Sequence, residues 1–148
     1  MACIFCRIER GELPSSRVFE DERFLAFMDI HPWRPGHVLV VPRRHAARVA
    51  ELPEGEAEAL FALGLRLAAA IRASELPCAD LHFVLNDGKG ANQSVPHVHL
   101  HLIPRQRRDF LKLAGAVISR PLVPLGRPAA REVLDAQAEQ IRAALQAR

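Results

Sequence analysis

The chain has 148 residues, enough for one domain with a full hydrophobic core, and its 49% hydrophobic and 25% charged residues are typical of a soluble globular protein. A net charge of +3 is too small to indicate nucleic-acid binding, and no apolar run approaches the ~20 residues that a membrane span needs. No basic-then-apolar signal begins the chain and its three cysteines form no visible disulfide framework, so we expect a cytoplasmic protein.

Two cysteines open the chain, as Cys3-Ile4-Phe5-Cys6. Such a pair can be a redox couple, half of a metal site, or accidental. Redox pairs usually follow a strand, and only two residues precede this one, which disfavours redox catalysis. A tetrahedral zinc site needs four ligands, so the other two would come from elsewhere, with histidine as the candidate.

The pattern of apolar residues predicts several short strands and two helices. Short strands are expected at 18–20, 24–30, 37–42 and 81–85, with a rigid, proline-containing loop at 31–36. One long helix is expected over about 53–74, covering one face of a sheet, because leucines and an isoleucine recur there at helical spacing. A second helix is expected from Pro128 to about Ala147, within a C-terminal extension.

Three histidines at alternate positions, His97, His99 and His101, dominate residues 93–104. On a helix they would fan over about 200°, whereas on a strand all three project from one face. The intervening apolar residues would then face a core. We therefore predict a strand with one face of imidazole and one face of hydrocarbon.

Two kinds of chemistry suit three imidazoles on one face. They can hold a catalytic metal, with an open position for water. Alternatively, a neutral imidazole can attack phosphorus and form a covalent intermediate that water resolves. The spacing of the histidines alone leaves both possibilities open.

The segment His97–Ile103 resembles the His-φ-His-φ-His-φ-φ motif (φ apolar) of the histidine triad, or HIT, superfamily of nucleotide hydrolases and transferases. The likeness runs from about Cys3 to Phe110. Further segments are similar in order and spacing, namely 3–8, 27–30, 35–42, 86–88 and 93–95.

The resemblance implies an α+β domain with a mainly antiparallel sheet of about five strands and one long helix packed on it. Residues 1–110 would form the HIT domain, and residues 111–148 a helical extension of the same globular unit. It also implies a homodimer that binds a purine nucleotide, expected to contain adenine, with no membrane or nucleic-acid partner.

The resemblance further implies a role for each site residue. His99 would attack the α-phosphorus of the nucleotide, His101 would orient His99 and bind phosphate, and His37 would lie behind them. Asp29 would hold the ribose hydroxyls. The other implied substrate contacts are Asn86, Gln93 and Ser94 at the phosphate end, and Phe5, Ile8, Phe27 and Ile30 around the base.

Zinc-bearing members of the family use a cysteine pair with two histidines. The corresponding residues here are Cys3, Cys6, His45 and His97, which would form a closed structural zinc site. No organic cofactor is expected.

The expected function is therefore hydrolysis at the α-phosphate of a dinucleoside polyphosphate or nucleoside phosphoramidate through a nucleotidyl-His99 intermediate. Two alternatives are a metal-dependent hydrolase that uses the triad histidines as ligands and a nucleotide-binding regulatory module with little turnover. The leaving group, and with it the branch of the family, stays open because features of two branches coexist.

Overall fold

The computed structural model of the chain describes residues 3–106 and 128–147. A short helix, α1 (Ile4–Glu9), precedes three strands, β1 (Arg17–Glu20), β2 (Phe24–Met28) and β3 (Val38–Pro42). The long helix α2 (Glu56–Ala73) leads to β4 (Asp80–Leu85) and β5 (Leu100–Arg105), and α3 (Arg131–Gln146) comes last. Short 3₁₀ turns lie at Val49–Glu51 and Lys89–Ala91.

The five strands form one sheet in the order β1-β2-β3-β5-β4, and every neighbouring pair is antiparallel. This confirms the predicted α+β class and the expected five-stranded sheet. β2 and β3 are buried at every residue, because both faces of the sheet are covered there. β4 is an edge strand and is only partly buried.

Two hydrophobic clusters separate the faces of the sheet. The larger lies under α2 and α3, and alternate residues of β2, β3 and β5 point into it, including Val40, Leu100 and Leu102. The smaller lies under α1 and is built from Phe5, Ile8, Leu25, Phe27, Leu39 and Val41. The second face of the sheet therefore carries α1 and the histidines.

The long helix is confirmed, since Leu60, Leu67 and Ile71 are fully buried along one side of α2. α3 is also confirmed and packs on α2, β1 and β2. No helix among residues 3–106 and 128–147 has the length and hydrophobicity to cross a membrane. The expected boundary between residues 110 and 111 lies outside the described residues.

One prediction about the histidine strand is wrong. β5 begins at Leu100, so His97 and His99 precede the strand and only His101 lies in it. The reason is that the N–H of Val98 donates to the carbonyl of Ala46 at 2.8 Å, outside the sheet ladder. Alternation nevertheless persists, because Val98 is buried in the larger cluster with Leu100.

Candidate active site and metal cluster

A cavity of about 870 Å³ opens on the histidine face of the sheet. Its floor is formed by His99 and His101, and its walls come from α1, from the segment before β1, and from the loops that follow β2 and precede β5. The lining residues are mostly apolar: Ile4, Phe5, Ile8, Pro14, Ser15, Phe27, Met28, Asp29, Ile30, His31, Trp33, Leu39, Asn92, Ser94, Val95, His99 and His101. Such a cavity suits a flat apolar ring joined to a polar group.

The ring of His99 is held in one tautomer by the backbone. Its Nδ1 lies 2.7 Å from the carbonyl oxygen of His97, and a carbonyl only accepts hydrogen bonds, so Nδ1 carries the proton. In the neutral ring the lone pair is then on Nε2. The edge of the Phe5 ring packs against this imidazole, with 5.2 Å between ring centroids.

His101 is the end of a second chain of hydrogen bonds. The N–H of Trp33 donates to Nδ1 of His37 at 3.2 Å, so the proton of neutral His37 is on Nε2. That Nε2 lies 3.0 Å from Nδ1 of His101 and donates to it, which leaves the proton of neutral His101 on its own Nε2. The carboxylate of Asp29 lies 3.6 Å from Nδ1 of His37, beyond hydrogen-bond length, and Trp33 therefore decides the tautomer.

His97 points to a different place. Its Nε2 donates to the carbonyl of Pro42 at 2.8 Å, which puts the lone pair on Nδ1. This Nδ1 lies 3.4 Å from Sγ of Cys3 and 3.6 Å from Sγ of Cys6, while Nδ1 of His45 lies 3.4 Å from Sγ of Cys6. The four ligand atoms all lie within 4.8 Å of one another.

This donor set fits zinc. A tetrahedral zinc ion with ordinary bond lengths separates a sulfur ligand from a nitrogen ligand by about 3.6 Å, close to the three contacts above. Burial lowers the pKa of His97, which favours the neutral form that a ligand needs. Burial and the adjacent Cys3 raise the pKa of the Cys6 thiol, so two thiolates side by side need a cation between them.

The structure brings most of the predicted substrate-binding residues together around the cavity. Phe5, Ile8, Phe27, Ile30, Asp29 and Ser94 all line it with the two histidines. Asn86 and Gln93 are not among the lining residues, and their amides bond to backbone instead. Gln93 accepts from the N–H of Gly88 at 2.8 Å and donates to the carbonyl of Ala47 at 2.9 Å, whereas Asn86 donates to the carbonyl of Asn92 at 3.4 Å.

Four polar or aromatic lining residues were not predicted from the sequence, namely Ser15, His31, Trp33 and Asn92. His31 and Trp33 lie in the proline-containing loop, which the sequence indicates to be rigid but does not identify as a wall of the cavity. Asn92 adopts a left-handed conformation, with φ of 63°, at the end of a turn-rich segment. A turn residue with this backbone geometry just before the histidines is the signal that could have found it.

Comparison with known proteins assigns the family. Residues 10–108 match the HIT domain family. An uncharacterised HIT-like protein of Mycobacterium tuberculosis is 42% identical over 120 residues, which cover 81% of this chain and 83% of that protein. An adenosine 5′-monophosphoramidase of Saccharomyces cerevisiae is 40% identical over 121 residues, which cover 81% of this chain and 70% of that enzyme.

A solved structure agrees along nearly the whole chain. The crystal structure of a Zn-bound histidine triad family protein from Mycobacterium smegmatis has a TM-score of 0.81 at 35% identity, and the match covers 99% of this chain and 95% of that one. The chain therefore belongs to the HIT domain family, which includes hydrolases such as the yeast monophosphoramidase.

Proposed function

We propose that this chain is a nucleotide hydrolase that cleaves at the α-phosphate of a nucleoside phosphoramidate or a dinucleoside polyphosphate through a covalent nucleotidyl-His99 intermediate. The observation that carries the proposal is the hydrogen bond from Nδ1 of His99 to the carbonyl of His97, at 2.7 Å. It leaves the lone pair on Nε2 of a ring that lines the cavity, as a nitrogen nucleophile requires.

The reaction has two displacements at phosphorus. In the first, Nε2 of His99 forms a bond to the α-phosphorus, and the bond from phosphorus to the leaving nitrogen or oxygen breaks. The leaving group takes that electron pair, and a leaving amine also takes one proton from solvent. In the second, a water oxygen attacks the same phosphorus, the P–N bond breaks, and the products are a nucleoside monophosphate, neutral His99 and one released proton.

The neighbouring groups support these steps. The N–H on Nε2 of His101 suits donation to a phosphate oxygen, since the Trp33–His37 chain holds the proton at that end of the ring. Ser94 offers a second donor, a hydroxyl, on the cavity wall. Asp29 offers carboxylate oxygens to the ribose hydroxyls, and the apolar wall around Phe5 and Phe27 suits a purine base, with adenine favoured by analogy to the yeast relative.

We also propose that Cys3, Cys6, His45 and His97 hold a structural zinc ion. The donor set, the spacing of the ligand atoms and the Zn-bound relative support this. When bound, zinc supplies a cross-link between α1 and the histidine segment and takes no part in the displacement. The competing metal-dependent hydrolase needs all three triad rings on one metal, and the Nδ1 of His97 faces two cysteine sulfurs instead.

A homodimer is part of the same proposal. Phe61 and Leu65, four residues apart on α2, are 43% and 64% exposed, and such an apolar stripe suits contact with a second copy. Light scattering is expected to give twice the chain mass, and Leu65→Glu is expected to lower it to one chain.

The test of the main proposal is to trap the intermediate. Adenosine 5′-monophosphoramidate carrying a ³²P label is mixed with enzyme and quenched within milliseconds, and label is expected on His99 by peptide mapping. His99→Ala is expected to bind adenosine monophosphate but to trap no label. Label that accumulates and is released over hours favours the regulatory module, while chelator-sensitive turnover with no trapped label favours the metal-dependent hydrolase.

A further inference from the structure

The C-terminal helix α3 lies outside the residues that match the HIT family, yet its hydrogen bonds run to both rims of the cavity. One rim is the segment Pro14–Ser16, and the other is the loop 29–37, which begins at Asp29, carries Trp33 and ends at His37. No role in nucleotide binding follows from the family motif for a helix so far along the chain.

The loop 29–37 is held by α3 and its preceding residues at two points. Near the start of the loop, the N–H of Ala129 donates to the carbonyl of Ile30 at 2.9 Å. Near its end, the N–H of Gly36 donates to Oε1 of Gln137 at 2.9 Å. Gly36 is buried, so its N–H has no access to bulk water as a replacement partner and depends on the Gln137 amide.

Bonds inside the loop carry this constraint to the active site. The N–H of His37 donates to the carbonyl of Arg34 at 3.1 Å, and the N–H of Asp29 donates to the carbonyl of His37 at 3.0 Å. The backbone N–H of Trp33 donates to Nδ1 of His37. This bond fixes the proton of His37 on Nε2, from which it is donated to His101. A shift at Gly36 therefore moves the Trp33 wall of the cavity and weakens the tautomer lock on His101.

Gly36 is also tightly confined on its other side. It has φ of +82°, and a Cβ built there would lie 3.1 Å from Cγ of Pro104 and 3.2 Å from Cδ1 of Leu76. The end of the loop is thus enclosed on one side by Pro104 of β5 and Leu76 after α2, and on the other side by Gln137 of α3. Only the Gln137 contact comes from outside the HIT-matched range.

The opposite rim is fixed by the start of the same helix. Ser16 is buried, its hydroxyl donates to Asp135 at 2.6 Å, and Arg131 donates to that hydroxyl at 3.0 Å. Arg131 also donates to the carbonyl of Pro14 at 3.4 Å, and Pro14 lines the cavity together with Ser15. One helix therefore sets the separation of two rims.

We propose that α3 sets the nucleotide affinity of this chain, and that Gln137 is the positioning residue that does so through Gly36, Trp33 and His37. The inference rests on the proposed function in one respect, which is that a nucleotide occupies the cavity. It adds an affinity-determining element that lies outside the residues matched to the HIT family.

The test compares substitutions that keep or remove the acceptor at position 137. Gln137→Met preserves side-chain length without a strong acceptor, and Gln137→Glu keeps an oxygen that accepts from Gly36. Gln146→Met is the matched control, since Gln146 is exposed near the end of the same helix. The probe is adenosine monophosphate, and the signal is the emission of Trp33, the single tryptophan of the chain.

Loss of one hydrogen bond to a buried group is expected to weaken binding of adenosine monophosphate about five- to tenfold in Gln137→Met and to shift the emission of Trp33. Gln137→Glu and Gln146→Met are expected to stay within about twofold of the wild type. Because turnover is not required, hydrogen exchange of the Gly36 amide in the wild-type chain adds a readout that needs no variant to fold, and strong protection is expected.

Wild-type affinity in Gln137→Met, equal losses in Gln137→Met and Gln137→Glu, or rapid exchange of the Gly36 amide would each overturn the inference while leaving the hydrolase proposal standing. Absence of adenosine monophosphate binding by the wild-type chain would overturn both. Trapped label on His99 together with an indifferent Gln137→Met variant would separate the two proposals cleanly.

Discussion

The cysteine–histidine cluster and the cavity lie side by side and draw on the same five-residue segment, but they use its histidines in opposite ways. His97 turns its Nδ1 to two sulfurs, whereas His99 bonds its Nδ1 to a backbone carbonyl and lines the cavity. The difference does not come from burial, since the two side chains are 1% and 2% exposed. It comes from which ring nitrogen is already bonded to a backbone carbonyl.

Backbone carbonyls therefore determine which ring nitrogen carries the lone pair in His97 and in His99. The Pro42 carbonyl takes the Nε2 proton of His97, and the His97 carbonyl takes the Nδ1 proton of His99. The second bond also joins the two sites, because the proposed zinc ligand His97 provides the carbonyl that accepts from the proposed nucleophile His99. Substitutions that separate the sites show how far this link extends.

The largest effect is expected from His99→Ala. Removing the nucleophile should lower turnover of adenosine 5′-monophosphoramidate at least about 1,000-fold, because no covalent intermediate forms. Zinc content by atomic emission should stay at that of the wild type, since the ring of His99 makes no contact with the cluster sulfurs among the bonds of the described residues. Turnover that survives the substitution would contradict the covalent route.

The next largest effect is expected from Cys6→Ser. A serine hydroxyl is a poor zinc ligand, so zinc affinity should fall at least about 100-fold in a competition assay with a chromophoric chelator. Phe5 lies between the two cysteines and packs on the rings of His97 and His99. Loss of the metal should therefore also weaken binding of adenosine monophosphate, by a smaller factor of about three.

His45→Ala is the control for that substitution, because His45 is the exposed ligand of the cluster and lies outside α1. It should release zinc as Cys6→Ser does and weaken nucleotide binding by a similar factor. If either variant loses zinc while binding the nucleotide as tightly as the wild type, the two sites are independent.

The fold was largely predictable because its signals are local. The spacing of Leu60, Leu63 and Leu67 is that of a buried helix face, and α2 is present as expected. Helix α1 has six residues, too few for a periodic pattern, and was not predicted. The start of β5 was placed too early because the partner of the Val98 N–H, the Ala46 carbonyl, is 52 positions away in sequence and leaves no local mark.

In the candidate site, too, residues with a local sequence signal were predicted and residues placed by long-range contacts were not. The histidine spacing and the resemblance to HIT proteins led to the residues of the cluster and the floor of the cavity. His31 and Trp33 were missed because only the folding of their loop over β2 and β3 turns them to the cavity. The position of Gln93 also depends on long-range contacts, with Ala47 and with the turn at Gly88.

The third largest effect is expected from alanine substitutions at two glycines, one beside the cavity and one beside the cysteine–histidine cluster. Gly36 ends the cavity loop with φ of +82°, and Gly11 follows α1 of the cluster with φ of +75°. Alanine should cost about 1–3 kcal/mol of unfolding free energy at both positions, because a left-handed backbone disfavours a Cβ. Gly36→Ala should cost more, since its Cβ meets Pro104 and Leu76 whereas nothing lies within 4 Å of the Cβ at Gly11.

Urea unfolding of both variants measures this difference. Equal losses in the two variants would mean that Pro104 and Leu76 yield without cost, and the loop 29–37 would then be less confined than the contacts imply.

The smallest effect is expected from Glu9→Gln, which removes an ion pair at the end of α1. Nη1 of Arg43 lies 2.8 Å from Oε1 of Glu9, and both side chains are more than a quarter exposed, so the pair should contribute less than about 1 kcal/mol. The difference in melting temperature from the wild type should shrink at 0.5 M salt because exposed pairs are screened. Glu12→Gln, in more exposed pairs with Arg7 and Arg10, should change it less.

Zinc affinity of Glu9→Gln decides what holds α1 in place. The cluster and the contacts of Phe5 involve the first turn of α1, whereas Glu9, which pairs with Arg43, is the last residue of the helix. Unchanged zinc affinity is expected if the metal and the apolar face fix the helix by themselves. A loss of zinc affinity comparable with that of His45→Ala would instead mean that the Glu9–Arg43 ion pair holds the cluster together. The position of α1 beside the cavity would then depend on this ion pair rather than on the cysteine ligands.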